Sequence, residues 1–145
     1  MGFYDPDVDG QMAARAYLLT AEQFSDIAAQ EMYRKPGENL DLAKVLESGR
    51  AVMGPGRYET LVCPGYLDGH PVLTFTAPWC MGDVEWNSPA ANYLRNLGSG
   101  LGESHGWSCE RIAEYLANRP GAAGHWTTET VTALLESAGG AGLRN

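Results

Sequence analysis

Apolar and polar positions change rhythm several times along the chain, and each change marks an element. Ala13 to Leu19 reads as a strand. Thr20 then caps a helix, and Gln23 three residues on completes a capping-box pattern. That helix is expected to run to about Arg34 and to stop at Lys35-Pro36-Gly37. A second, short helix from Asp41 to Ser48 buries Leu42, Val45 and Leu46, and Gly49 ends it. Gly54-Pro55-Gly56 is a break. Two strands come next, near Tyr58–Leu67 and His70–Thr76, joined by Asp68-Gly69, a strong hairpin signal. With a two-residue turn, Leu67 faces His70 and Cys63 faces Thr74. One face then carries Leu61, Cys63, Leu67 and Val72, and the other Tyr58, Val62, Tyr66, Leu73 and Phe75. Both faces are apolar, so both need covering, as in a barrel or a sheet between helices.

Pro78 to Asn87 reads as a loop holding Trp79 and Trp86. Ser88 and Pro89 fit the N-cap and first position of a third helix carrying Tyr93, Leu94, Leu97 and Leu101. Ser108 caps a fourth, with Ile112, Tyr115 and Leu116 inward and Arg119-Pro120-Gly121 as its stop. Thr127 or Thr128 starts a last helix with Val131, Leu134 and Leu135. The pattern predicts an α+β fold, one domain over residues 1–138, and a flexible Gly-rich tail over 139–145.

A length of 145 residues fits one core, and 44% apolar with 19% charged residues is an ordinary globular mix. The formal charge of −8 argues against nucleic acid and anionic lipid as partners. No basic and apolar leader opens the sequence, and no apolar run is long enough to span a bilayer. Cys63, Cys80 and Cys109 are odd in number and lack C-x-x-C spacing, a reduced pattern that points to the cytoplasm. The same spacing gives no ligand set for a metal.

Among titratable residues Glu31 stands out. Helical spacing stacks it with Phe24, Ile27 and Ala28, while Glu22, Gln23, Asp26 and Gln30 carry the outward face. A carboxylate among apolar groups has a raised pKa, as a general acid or base near neutral pH requires. The plainer alternative is a solvated residue in the last helical turn. Gly102-Glu103-Ser104-His105-Gly106 matches the nucleophile elbow, but helical periodicity precedes it where a strand is needed. The Gly98, Gly100, Gly102 string likewise sits late in a helix, where close packing is the expected role. Cys109 falls at a helix N-terminus, where the macrodipole lowers a thiol pKa.

Three segments together resemble the γ-glutamylcyclotransferase-like family. Ala16 to Glu31 is similar to its strand and helix ending in the catalytic glutamate. Arg57-Tyr58-Glu59-Thr60-Leu61-Val62 resembles the next barrel strand. Ser88-Pro89-Ala90-Ala91-Asn92-Tyr93-Leu94-Arg95-Asn96-Leu97-Gly98 resembles its Pro-x-x-x-Tyr-Leu helix. The resemblance implies a small mixed barrel or sheet flanked by helices, left incomplete or completed by dimerisation. It implies Glu31 as acid/base in a cofactor-free reaction, in which the α-amine of a γ-glutamyl group attacks its own side-chain amide. It also implies Tyr58 and Tyr93 as substrate-binding residues. The family's Tyr-Gly-Ser-Asn substrate loop has no counterpart here, so the matching region is expected to begin partway through the family domain and to turn over free γ-glutamyl amino acids weakly or not at all.

A second reading keeps Glu31 but gives it an apolar metabolite, with Trp79, Trp86, Tyr93 and Trp107 lining the site. A third is a non-catalytic binding subunit. The expected partners are a small-molecule substrate and a second copy of the chain, the latter because open strand edges are templates for pairing.

Overall fold

The computed structural model describes residues 2–139. It falls into two compact units, residues 1–84 and 85–145. The boundary lies within the Pro78–Asn87 stretch that the sequence reads as a loop.

In the first unit, helix α1 spans Ala21–Glu31. Both arms of the expected capping box form. Gln23 N–H donates to Thr20 Oγ1 at 3.3 Å, and Thr20 N–H donates to Gln23 Oε1 at 3.0 Å. The helix stops at Glu31 rather than Arg34 because Tyr33 turns left-handed at φ 58°. Tyr33 N–H then reaches Gln30 O at 3.1 Å and Arg34 N–H reaches Ala29 O at 2.7 Å, the pair of bonds that closes a Schellman end. Helix α2, Ala43–Ser48, ends as expected on Gly49, whose φ of 79° suits a residue without Cβ. Val45 is buried, but Leu46 stays 40% exposed, contrary to expectation.

Strands β1 (Arg50–Val52), β2 (Thr60–Leu67) and β3 (His70–Thr76) form one antiparallel sheet in the order β1-β2-β3. Asp68 and Gly69 both have positive φ, 51° and 81°, which makes the tight turn right for a hairpin, and Leu67 pairs with His70. Further up, the register departs from expectation. Val62, not Cys63, faces Thr74, because the pairing shifts by one residue between Val62 and Gly65. The cause is Pro64. It has no N–H to give the ladder, so Cys63 and Pro64 bulge together opposite Leu73. Leu61 therefore shares a face with Leu73 and Phe75, not with Val72. That face, with Ala51 of β1 beside Leu61, packs on Ala28, Met32 and Val45, with Phe24 tilted against Phe75 at 6.4 Å.

Residues 13–19 are not a strand. A strand must hand its backbone N–H and C=O groups to a neighbour, and none of the three described strands pairs with this segment. Tyr17 and Leu18 are 66% and 80% exposed. The fold is α+β, as expected, with an open three-stranded antiparallel sheet in place of a mixed barrel.

The second unit is helical. Helix α3, Ala91–His105, starts after Ala90, two residues beyond the expected Ser88 cap. Helix α4, Cys109–Ala117, is capped by Ser108, whose Oγ accepts from Arg111 N–H at 3.3 Å. Helix α5 covers Thr128–Gly139, and Thr127 and Thr130 cap it reciprocally. Leu94, Leu101, Ile112, Leu116 and Val131 are buried there, together with Ala113, Ala117 and Ala122. A Cβ on Gly98 would lie 2.5 Å from Leu135 Cδ2, so this glycine lets α3 approach α5 closely. Gly102 to His105 are helical, which removes the nucleophile-elbow geometry. Gly139 closes α5, and the rest of the expected tail lies outside the described residues. Among the described residues no helix is long and apolar enough to cross a membrane.

Candidate functional site

Glu31 is the last residue of α1, and it is exposed. This corrects the expected burial. The stripe that packs inward is Ser25, Ala28, Ala29 and Met32, one position round from Phe24, Ile27 and Glu31, and Ile27 is 42% exposed. Small side chains explain the rotation: Ala28 and Ala29 let the helix sit close to its neighbours, and Ser25 satisfies itself locally. Its hydroxyl donates to Ala21 O at 2.7 Å and accepts from Leu40 N–H at 3.1 Å. A shallow cleft of about 390 Å³ lined by Arg34 to Glu38 opens just past the helix end.

The carboxylate with a built environment is instead Glu59, which sequence reasoning passed over. It accepts from Gly56 N–H at 2.7 Å and from Arg34 at 2.5 Å and 3.2 Å, with its side chain only 13% exposed. A Cβ on either Gly54 or Gly56 would collide with its Oε2, so these two glycines leave room for the carboxylate. A glycine pair followed three residues on by an acid was the available signal. The Gly56 amide, then Arg34, hold the Glu59 carboxyl below its ordinary value. A depressed folded-state pKa gives stability that is present above the unfolded value and lost as pH falls through the folded one. Glu59→Gln is therefore expected to lower the urea midpoint at pH 7 and to flatten its decline on acidification. A titration from pH 7 to 3 checks this, and an unchanged acid limb would refute it.

Tyr58 and Trp79 belong to the same unit. Tyr58 has φ 61°, stands edge-on to Phe75 at 5.8 Å, and donates its hydroxyl to Gly2 O at 2.7 Å. Trp79 meets Phe3 edge-on at 6.2 Å, and its buried Nε1 has no partner among the described residues. The Tyr58 phenol lies near Tyr4, whose bonds form a polar layer on the sheet face opposite the core. There Thr76 Oγ1 accepts from Tyr4 N–H at 3.2 Å and donates to Tyr4 O at 2.5 Å, and the Tyr4 hydroxyl bonds Thr74 Oγ1. Burial, together with the neighbouring Tyr58 phenol, pushes the Tyr4 phenol up to about 12. Thr60, opposite Thr76, is fully buried, and its hydroxyl has no partner among the described residues.

Asp5, Asp7 and Cys80 bring three potential ligand atoms within 4.8 Å of one another. Both carboxylates already have partners: Asp5 accepts from Met81 N–H at 2.8 Å and from Asp7 N–H at 3.1 Å, and Asp7 pairs with Arg50 at 3.0 Å. Asp5, then burial and Asp83, push the Cys80 thiol up.

The second unit carries the other expected binding residues. Trp86 and Tyr93 are 44% and 46% exposed. Trp107 stands edge-on to Tyr115 at 5.2 Å with Arg111 stacked on it at 4.3 Å. Cys109 shifts opposite to the helix-dipole expectation. Burial first, then Glu136 and Glu110, raises its pKa. No family model, curated protein or solved structure matches this chain.

Proposed function

We propose that the chain is the Glu31-bearing part of a γ-glutamylcyclotransferase-like cyclisation site, completed when a second copy covers its exposed apolar segment. The observation that carries this reading is the exposure of Met12, Tyr17, Leu18 and Leu19, together with a three-stranded sheet that is open at both edges. Exposed apolar side chains and open strand edges are templates for association. A carboxylate serves as general acid near neutral pH when burial disfavours its charged form, so an exposed Glu31 needs a covering surface.

In the covered site Glu31 takes a proton from the α-amine as its nitrogen attacks the side-chain amide carbon. The new C–N bond closes the ring, the old one breaks, and the protonated Glu31 returns the proton to the departing amine. Tyr58 and Trp79 are the binding residues proposed for this site.

Light scattering at micromolar concentration is expected to give twice 15.6 kDa. The dimer is expected to release 5-oxoproline slowly from γ-glutamylalanine, and Glu31→Gln to lower that rate by about 100-fold or more. A mass of 15.6 kDa at every concentration, or equal rates in both proteins, overturns the reading. The exposure of Glu31 favours one alternative, a non-catalytic subunit, which would dimerise without any Glu31-dependent release.

A further inference from the structure

We propose that residues 2–7 are an exchangeable strap, which in the dimer seats on the Thr74–Thr76 face of the second copy. The inference rests on the association half of the functional reading and not on its chemistry. The strap is held on the sheet side chain by side chain rather than as a strand. Thr76 Oγ1 grips both backbone polar groups of Tyr4, and Thr74 holds its phenol. Met81 N–H donates to Asp5, and Arg50 pairs with Asp7. The seat thus recognises an acidic segment with a tyrosine at one position, and the chain itself supplies that segment.

The tether behind the strap makes exchange possible. Residues 8–20 have no regular secondary structure, and every side chain in them except Ala13 is exposed. Thirteen extended residues span up to about 43 Å, at roughly 3.3 Å each. A strap on so long a tether reaches a neighbour's seat without strain. Strap and seat make the same contacts within one chain or between two, so those contacts do not decide the outcome. The tethers decide it. Within one chain Met12, Tyr17 and Leu18 face water, at 55%, 66% and 80% exposure. Between two chains the tethers run past each other and cover these residues, and removing apolar surface from water favours the exchanged form. The acidic strap meeting Arg50 fixes which way round it seats.

The test mixes two separately purified full-length chains, one Tyr4→Cys and the other Thr74→Cys. A disulfide joining position 4 to position 74 then forms only between copies. After oxidation at a few hundred micromolar, the expected product is a covalent heterodimer of twice 15.6 kDa, with the 4–74 link mapped by peptide mass spectrometry. Its yield is expected to fall at least tenfold on dilution to nanomolar concentration, and at least tenfold when Thr76→Val is added to the receiving copy. Asp5→Cys with Met81→Cys, both made in a Cys80→Ser background because Cys80 lies within 4.8 Å of Asp5, provides a second pair that leaves the Tyr4 bonds intact, so a weakened strap does not mimic a negative result. Dimers by light scattering with no 4–74 or 5–81 link overturn the exchange while leaving association standing. Monomers throughout overturn both.

Discussion

Leu61→Ala is expected to destabilise the first unit by about 3–4 kcal/mol, among the larger costs for truncating a buried leucine. Leu61 is fully buried in the middle strand, packed with Ala28, Met32, Val45 and Ala51. Two of those four neighbours are alanines with no side-chain length to move into the gap, so the site collapses poorly and most of the cavity term remains. Hydrogen exchange reads this directly. At about 1.4 kcal/mol per factor of ten, protection of the β1–β3 amides should fall by roughly 150-fold or more. A loss below about 1 kcal/mol would mean that α1 and α2 close over the missing side chain, and the packing of this core would need redrawing.

Features that close within a few residues were legible in the sequence. The Thr20–Gln23 box, the Asp68-Gly69 turn, the Gly49 stop and the Ser108 cap each depend on bonds to positions no more than four away. Strand pairing was harder to read. β1 has only three residues and sits directly after α2, too short to show a period. Pro64 did announce its bulge, because a proline inside a strand cannot donate to the ladder, yet simple alternation read straight through it. Glu31 was misplaced because large apolar residues weigh more in a periodic pattern than the alanines that mark the contact face. Glu59 was missed because its partner Arg34 lies 25 residues away, and only the fold brings them together. Ala13–Leu19 has the composition of a strand, but a strand also needs an edge to pair with, which no local pattern supplies.

The three glycines late in α3 answer the question of role most sharply, because two of them should respond in opposite directions. Gly100 is exposed, and a Cβ built on it would meet nothing within 4 Å. Gly100→Ala should therefore stabilise the second unit by about 0.5–1 kcal/mol, the gain from removing a flexible residue from a helix interior. Gly98 is buried, with Leu135 Cδ2 at 2.5 Å and Ile112 Cγ2 at 3.4 Å from where its Cβ would be. Gly98→Val adds three carbons and a stiff β-branch at that point. It should cost about 2–3 kcal/mol through overpacking. Leu135→Ala clears the nearest obstacle, so in the Gly98→Val background it should recover at least about 1 kcal/mol, although alone it destabilises. Urea denaturation of the four proteins in this cycle supplies the coupling term. Additive changes would show that α3 and α5 do not meet at Gly98, and the glycine would then be no more than a weak point in the helix.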